Sequence, residues 1–171
     1  FRRKNFILLR KTGEKMILYT VVPCYNEEDA LPETVRILSE KYFTLMRKGM
    51  ISEESKILFV DDGSSDNTWN MISEYHEKKP IFCGLKLSRN RGHQNALYAG
   101  LMAAAPHCDA AVSIDADLQD DVDAIDQMIV KFGDGCHIVY GVRNKRDSDT
   151  FMKRFTAEGY YKVMRLFGAQ I

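Results

Sequence analysis

The residues best suited to chemistry follow one short apolar run. Ala110 to Ile114 has the composition of a buried strand, and six residues with four oxygen-bearing side chains follow it, from Asp115 to Asp120. Alternate residues of an extended segment face the same side, so Asp115 and Asp117 are expected to point together. Two carboxylates about 5 Å apart repel each other by about 3 kcal/mol at an effective dielectric constant of about 20. A cation relieves this repulsion, and we predict Mg²⁺ or Mn²⁺ bound by Asp115, Asp117 and the Gln119 carbonyl.

A second interpretation of these residues needs no metal. The same stretch suits a polar turn in which Asp120 caps the following helix. A D-x-D pair is common in proteins, so its meaning depends on what the rest of the chain places beside it.

The rest of the chain alternates predicted strands with predicted helices. Such alternation predicts an α/β fold with a mostly parallel sheet and helices on both faces. Right-handed crossovers bring the carboxyl ends of all the strands to one edge, where ligands of such sheets bind. The predicted strands are 16–22, 57–60, 82–87, 110–114 and 137–140. One predicted helix begins near Leu31, and the others cover 68–79, 92–105, 122–132 and about 148–167.

Polar loops follow the first four predicted strands. They are Pro23 to Glu28, Asp61 to Asp66, Ser88 to Gln94 and Asp115 to Asp120. Together these loops carry an aromatic ring, several carboxylates, arginine and amides. Because all four open onto the same edge, we predict one site for a nucleotide and a metal.

Charge is unevenly distributed although the formal net charge is zero. Seven Asp lie between Asp109 and Asp126, and no Lys or Arg lies between Gly92 and Val130. Seven Lys or Arg and three acidic residues lie from Arg143 to Arg165. A neutral chain has no global field that recruits nucleic acid. An acidic centre followed by a basic stretch suits a metal site beside a site for anions.

The cysteine spacing and the N-terminal residues argue against several other classes of protein. Cys24, Cys83, Cys108 and Cys136 lack C-x-x-C spacing, which argues against a zinc site and a disulfide framework and favours reduced thiols in a cytosolic protein. Residues 1–15 are expected to form a basic N-terminal arm, because their apolar run is too short for a signal peptide. No run of 18 or more apolar residues, as a membrane span requires, is present.

Four ordered motifs resemble the family 2 glycosyltransferases. They are Val21-Val22-Pro23-Cys24-Tyr25-Asn26-Glu27-Glu28, Val60-Asp61-Asp62-Gly63-Ser64-Ser65-Asp66, Leu87-Ser88-Arg89-Asn90-Arg91-Gly92-His93-Gln94 and Ile114-Asp115-Ala116-Asp117-Leu118-Gln119-Asp120. The resemblance is to the branch of dolichyl-phosphate mannose synthase and bactoprenol-phosphate glucosyltransferase. It implies a Rossmann-like nucleotide-diphospho-sugar transferase (GT-A) fold over residues 16–171.

The resemblance also implies roles for individual residues. The first loop and the second Asp of the Asp-Asp pair hold the base and ribose, Arg89 and Gln94 lie near the nucleotide, and the D-x-D residues hold the metal and the donor diphosphate. The implied nucleotide-binding residues are Pro23, Tyr25, Asn26, Glu27, Asp62, Arg89, Gln94 and Asp115; the implied metal ligands are Asp115, Asp117 and Gln119; and the implied catalytic residues are Asp117, Arg143 and Arg154.

Several of these residues also suit structural roles. Tyr25 suits the core, Arg89 suits a surface ion pair, and His93 suits a structural histidine. Asp61 and Asp66 are expected to brace their turn and cap the next helix rather than touch a ligand. The basic helix 148–167 also has the pattern of an ordinary amphipathic core helix.

The implied reaction is inverting transfer of a sugar from a UDP- or GDP-sugar to a polyprenyl phosphate. A phosphate acceptor is largely ionised near neutral pH and needs no general base, but it does need cations, for which Arg143, Lys153 and Arg154 are candidates. We expect the protein at the cytoplasmic face of the membrane, held there through segments absent from this chain. A saccharide acceptor and a non-catalytic nucleotide-binding module are the alternatives; a phosphoacceptor receiver domain would carry its acidic pair on the first strand, which this sequence does not.

Two departures from the family pattern stand out. Asp121-Val122 occupies the position where the family usually has proline at a helix start. Relatives also continue with further strands, an acceptor-side carboxylate and, in many members, membrane helices, so we expect residues 16–171 to be a catalytic domain truncated at its C-terminal end.

Overall fold

A computed structural model of the chain describes residues 15–141. Residues 1–14 of the predicted basic arm, the basic helix 148–167 and the candidate residues Arg143, Lys153 and Arg154 lie outside the described residues.

Strands and helices alternate along the described chain. The strands are β1 (Leu18–Cys24), β2 (Lys56–Asp61), β3 (Phe82–Lys86) and β4 (Ala110–Ser113). The helices are α1 (Leu31–Arg47), α2 (Thr68–Lys78), α3 (His93–Ala104) and α4 (Ala124–Gly133), with a short 3₁₀ helix at Ala105–His107.

Over residues 15–141 the sheet has four parallel strands in the order β3-β2-β1-β4. Val21 of β1 is paired on both sides, with Leu58 of β2 and with Ser113 of β4. The chain moves outward from β1 through β2 to β3 and then crosses back to the far side of β1. The strand order therefore reverses at β1, and a crevice is expected between the loops after β1 and β4.

The two faces of the sheet bury different sets of residues. On one face, Val22 of β1 and Phe59 of β2 share a core with α1, α2 and α4. On the other, Val21 and Val60 pack against Ala96 and Ala104 of α3. Helices thus cover both faces, as the alternating pattern predicts.

Helix α1 shows how the sequence pattern produces this packing. Its apolar residues recur at helical spacing, and Leu31, Val35, Leu38, Tyr42 and Leu45 are all buried. Pro32 occupies the first turn, where a missing N–H costs no hydrogen bond. The buried Tyr42 hydroxyl is paired with Thr20 Oγ1 at 2.8 Å and donates to Lys56 O at 3.0 Å, so this large side chain leaves no polar atom stranded.

The first predicted strand ends two residues too early. The prediction ended it at Val22 because proline usually interrupts a strand, but β1 runs through Pro23 to Cys24. Cys24 O accepts a hydrogen bond from Asp62 N on the β2 side, so the backbone of Pro23 faces the β4 side. β4 pairs with β1 only as far as Val21, and the missing N–H of Pro23 therefore has no ladder bond to lose.

The prediction of a fifth strand at residues 137–140 is wrong. These residues lie in the described part of the chain and pair with none of β1 to β4. Ile138 and Tyr140 are exposed, so their apolar character does not reflect burial in a sheet. A short apolar run predicts extended backbone but cannot supply the neighbouring strand that a ladder requires.

Two other features match the sequence. All four cysteines are free thiols. Within residues 15–141, the helices are too short or too polar to cross a bilayer.

Candidate functional site

The site is built from four loops at the carboxyl edge of the sheet. They comprise residues 25–30, 62–67, 87–92 and 114–123, after β1, β2, β3 and β4 respectively. Hydrogen bonds between backbone and side chains join the first three of these loops to one another. The fourth is contacted by Thr34 of α1 and by His93 at the start of α3.

The loops after β1 and β2 are joined by reciprocal hydrogen bonds. Asn26 N donates to Ser64 Oγ at 3.0 Å, and Asn26 Oδ1 accepts from Ser65 N at 2.9 Å. Glu27 N donates to Thr68 Oγ1 at 2.9 Å. Asn26 has a φ of 54°, a left-handed conformation that asparagine tolerates better than most residues. Asn26 thus holds the loop junction with its own side chain.

Asp66 extends this junction to the start of α2. Its carboxylate accepts from Thr68 N at 3.0 Å and from Glu28 N at 3.1 Å. Asp61 Oδ1 accepts from Ser64 N at 3.2 Å within the same turn. Both aspartates therefore brace the turn, as predicted, and Asp66 satisfies an N–H in the first turn of the helix.

Asp62 connects the loop after β2 to the loop after β3. Its two carboxylate oxygens accept from Arg91 N at 2.7 Å and Gly92 N at 2.8 Å, and the residue is only 2% exposed. Gly63, with a φ of 70°, lies directly against the backbone of Arg89, where a Cβ would overlap it. The contact of Asp62 with a nucleotide stays a prediction; its hydrogen bonds show that it also holds the third loop.

Several predicted nucleotide ligands are accessible at this edge. Tyr25 is 46% exposed, which excludes the core as its location and leaves its ring available as a stacking face. Arg89 and Gln94 are exposed, and Arg89 forms no ion pair within residues 15–141. Pro23 differs from these three, because it is buried within β1.

The D-x-D loop turns sharply after β4. Leu118 has a φ of 49°, and its N–H donates to Asp115 O at 3.1 Å, while Gln119 N donates to Asp117 Oδ1 at 3.2 Å. Asp117 is exposed and Asp115 is partly buried. Nε2 of His93 lies 3.6 Å from Asp115 Oδ1, so the start of α3 adjoins the D-x-D loop.

Negative charge accumulates where the loops after β1 and β4 meet. The pKa of Glu27 is raised above its ordinary value by burial and then by the charges of Asp117, Asp66 and Asp115. Carboxylates from the loops after β1, β2 and β4 therefore lie close enough to influence one another. A cation placed here would lower the electrostatic energy of the crevice.

The oxygen ligands at this edge suit a hard divalent cation, although the protein supplies only part of its coordination shell. Carboxylate oxygens of Asp115 and Asp117 are the ligands that Mg²⁺ and Mn²⁺ prefer. No three His, Cys, Asp or Glu side chains converge as a ready-made metal cage within the part of the chain that the structure describes. Phosphate oxygens of a bound nucleotide would complete such a shell.

Cys24 lies beside this acidic group at the end of β1. Burial raises the pKa of its thiol well above the ordinary value, and the charges of Glu27, Asp61 and Asp66 raise it further. A thiol that stays protonated is a poor nucleophile. Cys24 is accordingly part of the core rather than of the chemistry.

Two residues of α1 that sequence reasoning missed contact the D-x-D loop. Thr34 Oγ1 donates to Ala116 O, and Lys41 Nζ donates to Asp123 Oδ1 at 2.7 Å and Asp126 Oδ2 at 2.8 Å. Both are buried polar residues on the otherwise apolar face of α1. That interruption of the apolar pattern is the signal that would have identified them.

The chain matches the family described as Glycosyl transferase family 2 over residues 19–168. It is 48% identical over 155 residues to an uncharacterized glycosyltransferase, YkoT, of Bacillus subtilis strain 168, which covers 91% of this chain and 46% of that protein. It is 38% identical over 151 residues to a prophage bactoprenol glucosyl transferase homolog of Escherichia coli K12, which covers 86% of this chain and 46% of that protein. The chain thus spans about half the length of these curated relatives.

Solved structures resemble the described fold. A crystal structure of S. aureus TarS 1-349 superimposes with a TM-score of 0.55 at 21% identity, over 70% of this chain and 33% of that chain. The same TarS fragment in complex with UDP gives a TM-score of 0.51 at 22% identity, over 68% of this chain and 32% of that chain. These similarities confirm the predicted α/β fold of the GT-A type.

Proposed function

Because this chain belongs to glycosyl transferase family 2, in the branch of the bactoprenol glucosyl transferases, we propose that it is the nucleotide-sugar-binding catalytic domain of an inverting glycosyltransferase. Its donor is a UDP- or GDP-sugar. Its acceptor is a polyprenyl phosphate, of the undecaprenyl or dolichyl type, presented at the cytoplasmic face of a membrane.

The observation that carries this proposal is the meeting of two loops where the strand order reverses. β1 lies between β2 and β4, the loop after β1 carries the exposed ring of Tyr25, and the loop after β4 carries Asp115 and Asp117. Burial raises the pKa of Glu27 in the first loop, and the charges of Asp117 and Asp115 in the second raise it further. A base-stacking surface next to a concentration of carboxylates suits a nucleotide whose diphosphate is bound together with a cation.

Each part of the donor has candidate residues in this crevice. Tyr25 offers a face for the base, and the loop of Asn26 and Glu27 lies beside it. Asp62 holds the loop of Arg89 in place by accepting from Arg91 N and Gly92 N, and Gln94 follows in the first turn of α3. The base and ribose are thus assigned to the loops after β1 and β2, and the phosphates to the loops after β3 and β4.

Asp115 and Asp117 would hold Mg²⁺ or Mn²⁺, with Gln119 as the third predicted ligand. When bound, the cation neutralises the charge that develops on the leaving nucleoside diphosphate. Two carboxylates are too few to hold such a cation tightly alone. We therefore expect metal and nucleoside diphosphate to bind cooperatively.

Transfer requires one bond to form and one to break at the anomeric carbon of the sugar. An oxygen of the acceptor phosphate attacks that carbon from the side opposite the leaving group, and the bond to the donor's β-phosphate oxygen breaks, which inverts the configuration. No proton has to be removed from an ionised phosphate acceptor. The protein's task is to bring two anions together, for which Arg143 and Arg154 are the proposed cations.

Calorimetric titration with UDP and with GDP, each with and without Mn²⁺, tests the donor site. We expect one of the two nucleotides to bind at least about tenfold more tightly with Mn²⁺, because its phosphates complete the metal shell. The double substitution Asp115→Asn and Asp117→Asn should abolish this enhancement while leaving the fold intact. Asp134→Asn, which removes an acidic side chain from the end of α4, is the matched control. Equal affinities of the double variant and the unmodified chain in Mn²⁺ would contradict the assignment.

A further inference from the structure

Helix α1 contacts the D-x-D loop near both ends of that loop. The loop runs from Asp115 to Asp123, and its only neighbours in sequence are β4 and α4. Thr34 and Lys41 belong to a helix more than 70 residues earlier in the chain. They lie seven residues apart, which is about two helical turns, and so project from the same face of α1.

Thr34 acts at the beginning of the loop. Its hydroxyl, buried at 1% exposure, donates to the carbonyl of Ala116, the residue between the two D-x-D aspartates. The Ala30 carbonyl, at 3.0 Å, is a second acceptor for the same hydroxyl. A hydrogen bond to this carbonyl orients the peptide plane that joins Ala116 to Asp117. The direction of the Asp117 side chain depends on that plane.

Lys41 acts at the end of the loop. Its ammonium, 9% exposed, binds the carboxylates of Asp123 and Asp126, which lie just before and within the first turn of α4. Burial would lower the pKa of Lys41, but hydrogen bonds to Asp123 and Asp126 outweigh it and the pKa is raised. The bond to Lys41 likewise lowers the pKa of Asp123. Lys41 and Asp123 are therefore both charged at neutral pH.

Between these two anchors the loop adopts a left-handed turn. Leu118 occupies that turn with a φ of 49° and packs against the core that contains α1. A non-glycine residue in this conformation persists where its surroundings impose it. Anchors on both sides of Leu118 supply such surroundings.

We propose that Thr34 and Lys41 are positioning residues for the donor diphosphate and its metal. They hold the D-x-D loop in the geometry in which Asp115 and Asp117 bind, and they do so without touching the ligand. This inference rests on the proposed function, because it takes the D-x-D loop as the site of the metal and the diphosphate.

The experiment compares nucleotide binding and loop protection in two substitutions. Thr34→Val removes the hydroxyl at nearly constant volume, and Lys41→Met removes the ammonium but keeps an unbranched side chain. Each should remove most of the Mn²⁺-dependent gain in UDP or GDP affinity, because loss of an outer-shell contact usually lowers metal affinity by about 10- to 100-fold. Binding of UMP or GMP without metal should stay within about twofold, because the base loops are unchanged. Thr34→Ser should restore the gain.

Matched controls separate positioning from general stability. Thr20→Val removes an equally buried threonine hydroxyl whose partner is Tyr42 rather than the loop. Lys48→Met removes a lysine that directly follows α1, whose Nζ lies 3.9 Å from Asp126 Oδ2 and which is more exposed than Lys41. Both controls should keep the Mn²⁺-dependent gain, even where they lower the melting temperature.

Hydrogen exchange supplies a readout that does not need a nucleotide. In Thr34→Val and Lys41→Met, amides of residues 115–123 should exchange faster than in the unmodified chain, while those of β1 and β2 should not. Unchanged exchange in this loop, or equal losses of UMP and UDP affinity, would overturn the inference. Failure of the unmodified chain to bind UDP or GDP with Mn²⁺ would instead overturn the proposed function, and the exchange result would still decide whether α1 holds the loop.

Discussion

The carboxylates at the edge of the sheet fall into two groups at the scale of single residues. Asp62 and Asp66 accept hydrogen bonds from backbone N–H groups, which stabilise the charged form. Glu27, Asp115 and Asp117 form the second group, in which burial raises the pKa of Glu27 and the charges of the two aspartates raise it further. The first group maintains the loops, and the second includes the residues proposed to bind a cation. Glu27 and Asp66 should respond to pH in opposite directions.

Glu27→Gln should stabilise the protein at neutral pH. Because the folded-state pKa of Glu27 is raised, its charge destabilises the fold above that pKa, and the effect vanishes below the unfolded value of about 4.3. The melting temperature of Glu27→Gln should exceed that of the unmodified chain at pH 7 and match it at about pH 3.5. Glu53→Gln, on an exposed loop, is the control. A lower melting temperature of Glu27→Gln at pH 7 would contradict this reading of the crevice.

Asp66→Ala should show the opposite dependence. Burial would raise the pKa of Asp66, but hydrogen bonds from Thr68 and Glu28 outweigh it and the pKa is lowered. Its stabilising contribution is therefore present above the unfolded pKa of about 3.9 and is lost as pH falls through the lower folded value. We expect the substitution to cost about 1 kcal/mol at pH 7, as for the loss of a helix cap, and progressively less in acid. Urea unfolding at several pH values measures this difference, and a cost that is constant from pH 7 to about pH 2 would count against it.

At the scale of elements, the two faces of the sheet are covered differently. Three helices and large side chains cover one face, whereas α3 approaches the other through small residues. Ala96, Gly100 and Ala104 recur every four residues and are the buried positions of α3. This close approach places the start of α3, with Gly92 and His93, beside Asp62 and Asp115.

Gly100→Ala should therefore destabilise the fold although alanine favours helices. A Cβ at Gly100 would overlap the side chains of Val21 and Val60, so α3 would have to move away from β1 and β2. We expect a loss of about 1–3 kcal/mol, as for overpacking of a core. Gly133→Ala, where a Cβ would meet no atom within 4 Å, should instead stabilise α4 by up to about 1 kcal/mol. Denaturant unfolding compares the two, and equal effects of both substitutions would contradict the packing argument.

At the scale of the whole molecule, charge is divided along the chain. The acidic loops are among the described residues, whereas the seven Lys or Arg from Arg143 to Arg165 lie outside them. An acidic crevice attracts an anionic acceptor only when a metal is present, so a phosphate acceptor needs cations of its own. The basic stretch carries seven of them, and the predicted arm of residues 1–15 carries a further six.

Charge reversal at Arg143 and Arg154 should separate donor binding from acceptor binding. Substitution of both by Glu should leave UDP or GDP affinity within about twofold, because the donor loops are complete without them. In a longer enzyme that carries this domain, the same change should eliminate transfer to polyprenyl phosphate. Binding of the unmodified chain to anionic liposomes should also fall as salt rises, because such contacts are screened over about 8–10 Å near physiological ionic strength. Normal lipid glycosylation by the double variant would place the acceptor site elsewhere.

Much of the fold and the outline of the site were predictable because they depend on local pattern. The apolar runs of β1, β2 and β4 and the spacing of Leu31, Val35 and Leu38 in α1 indicate their elements directly. Parallel strands then bring the loops after them to one edge, whatever their detailed contacts. Prediction failed where a local signal is compatible with two structures. Pro23 predicts the end of β1 but lies within it, and the apolar run that contains Ile138 predicts a buried strand, but Ile138 is exposed.

The sequence by itself determined which chemical groups lie at the carboxyl edge of the sheet, since the parallel direction of the strands follows from the alternation of elements. Only the tertiary structure decided how those groups are held. Thr34 donates a hydrogen bond to Ala116, which lies 82 residues later in the chain, and Lys41 donates to Asp123, also 82 residues later. Asp62 accepts from Gly92, 30 residues later. Such partners share no periodicity, because a hydrogen bond between distant segments depends on the final packing of α1 and the loops rather than on the pattern of either segment.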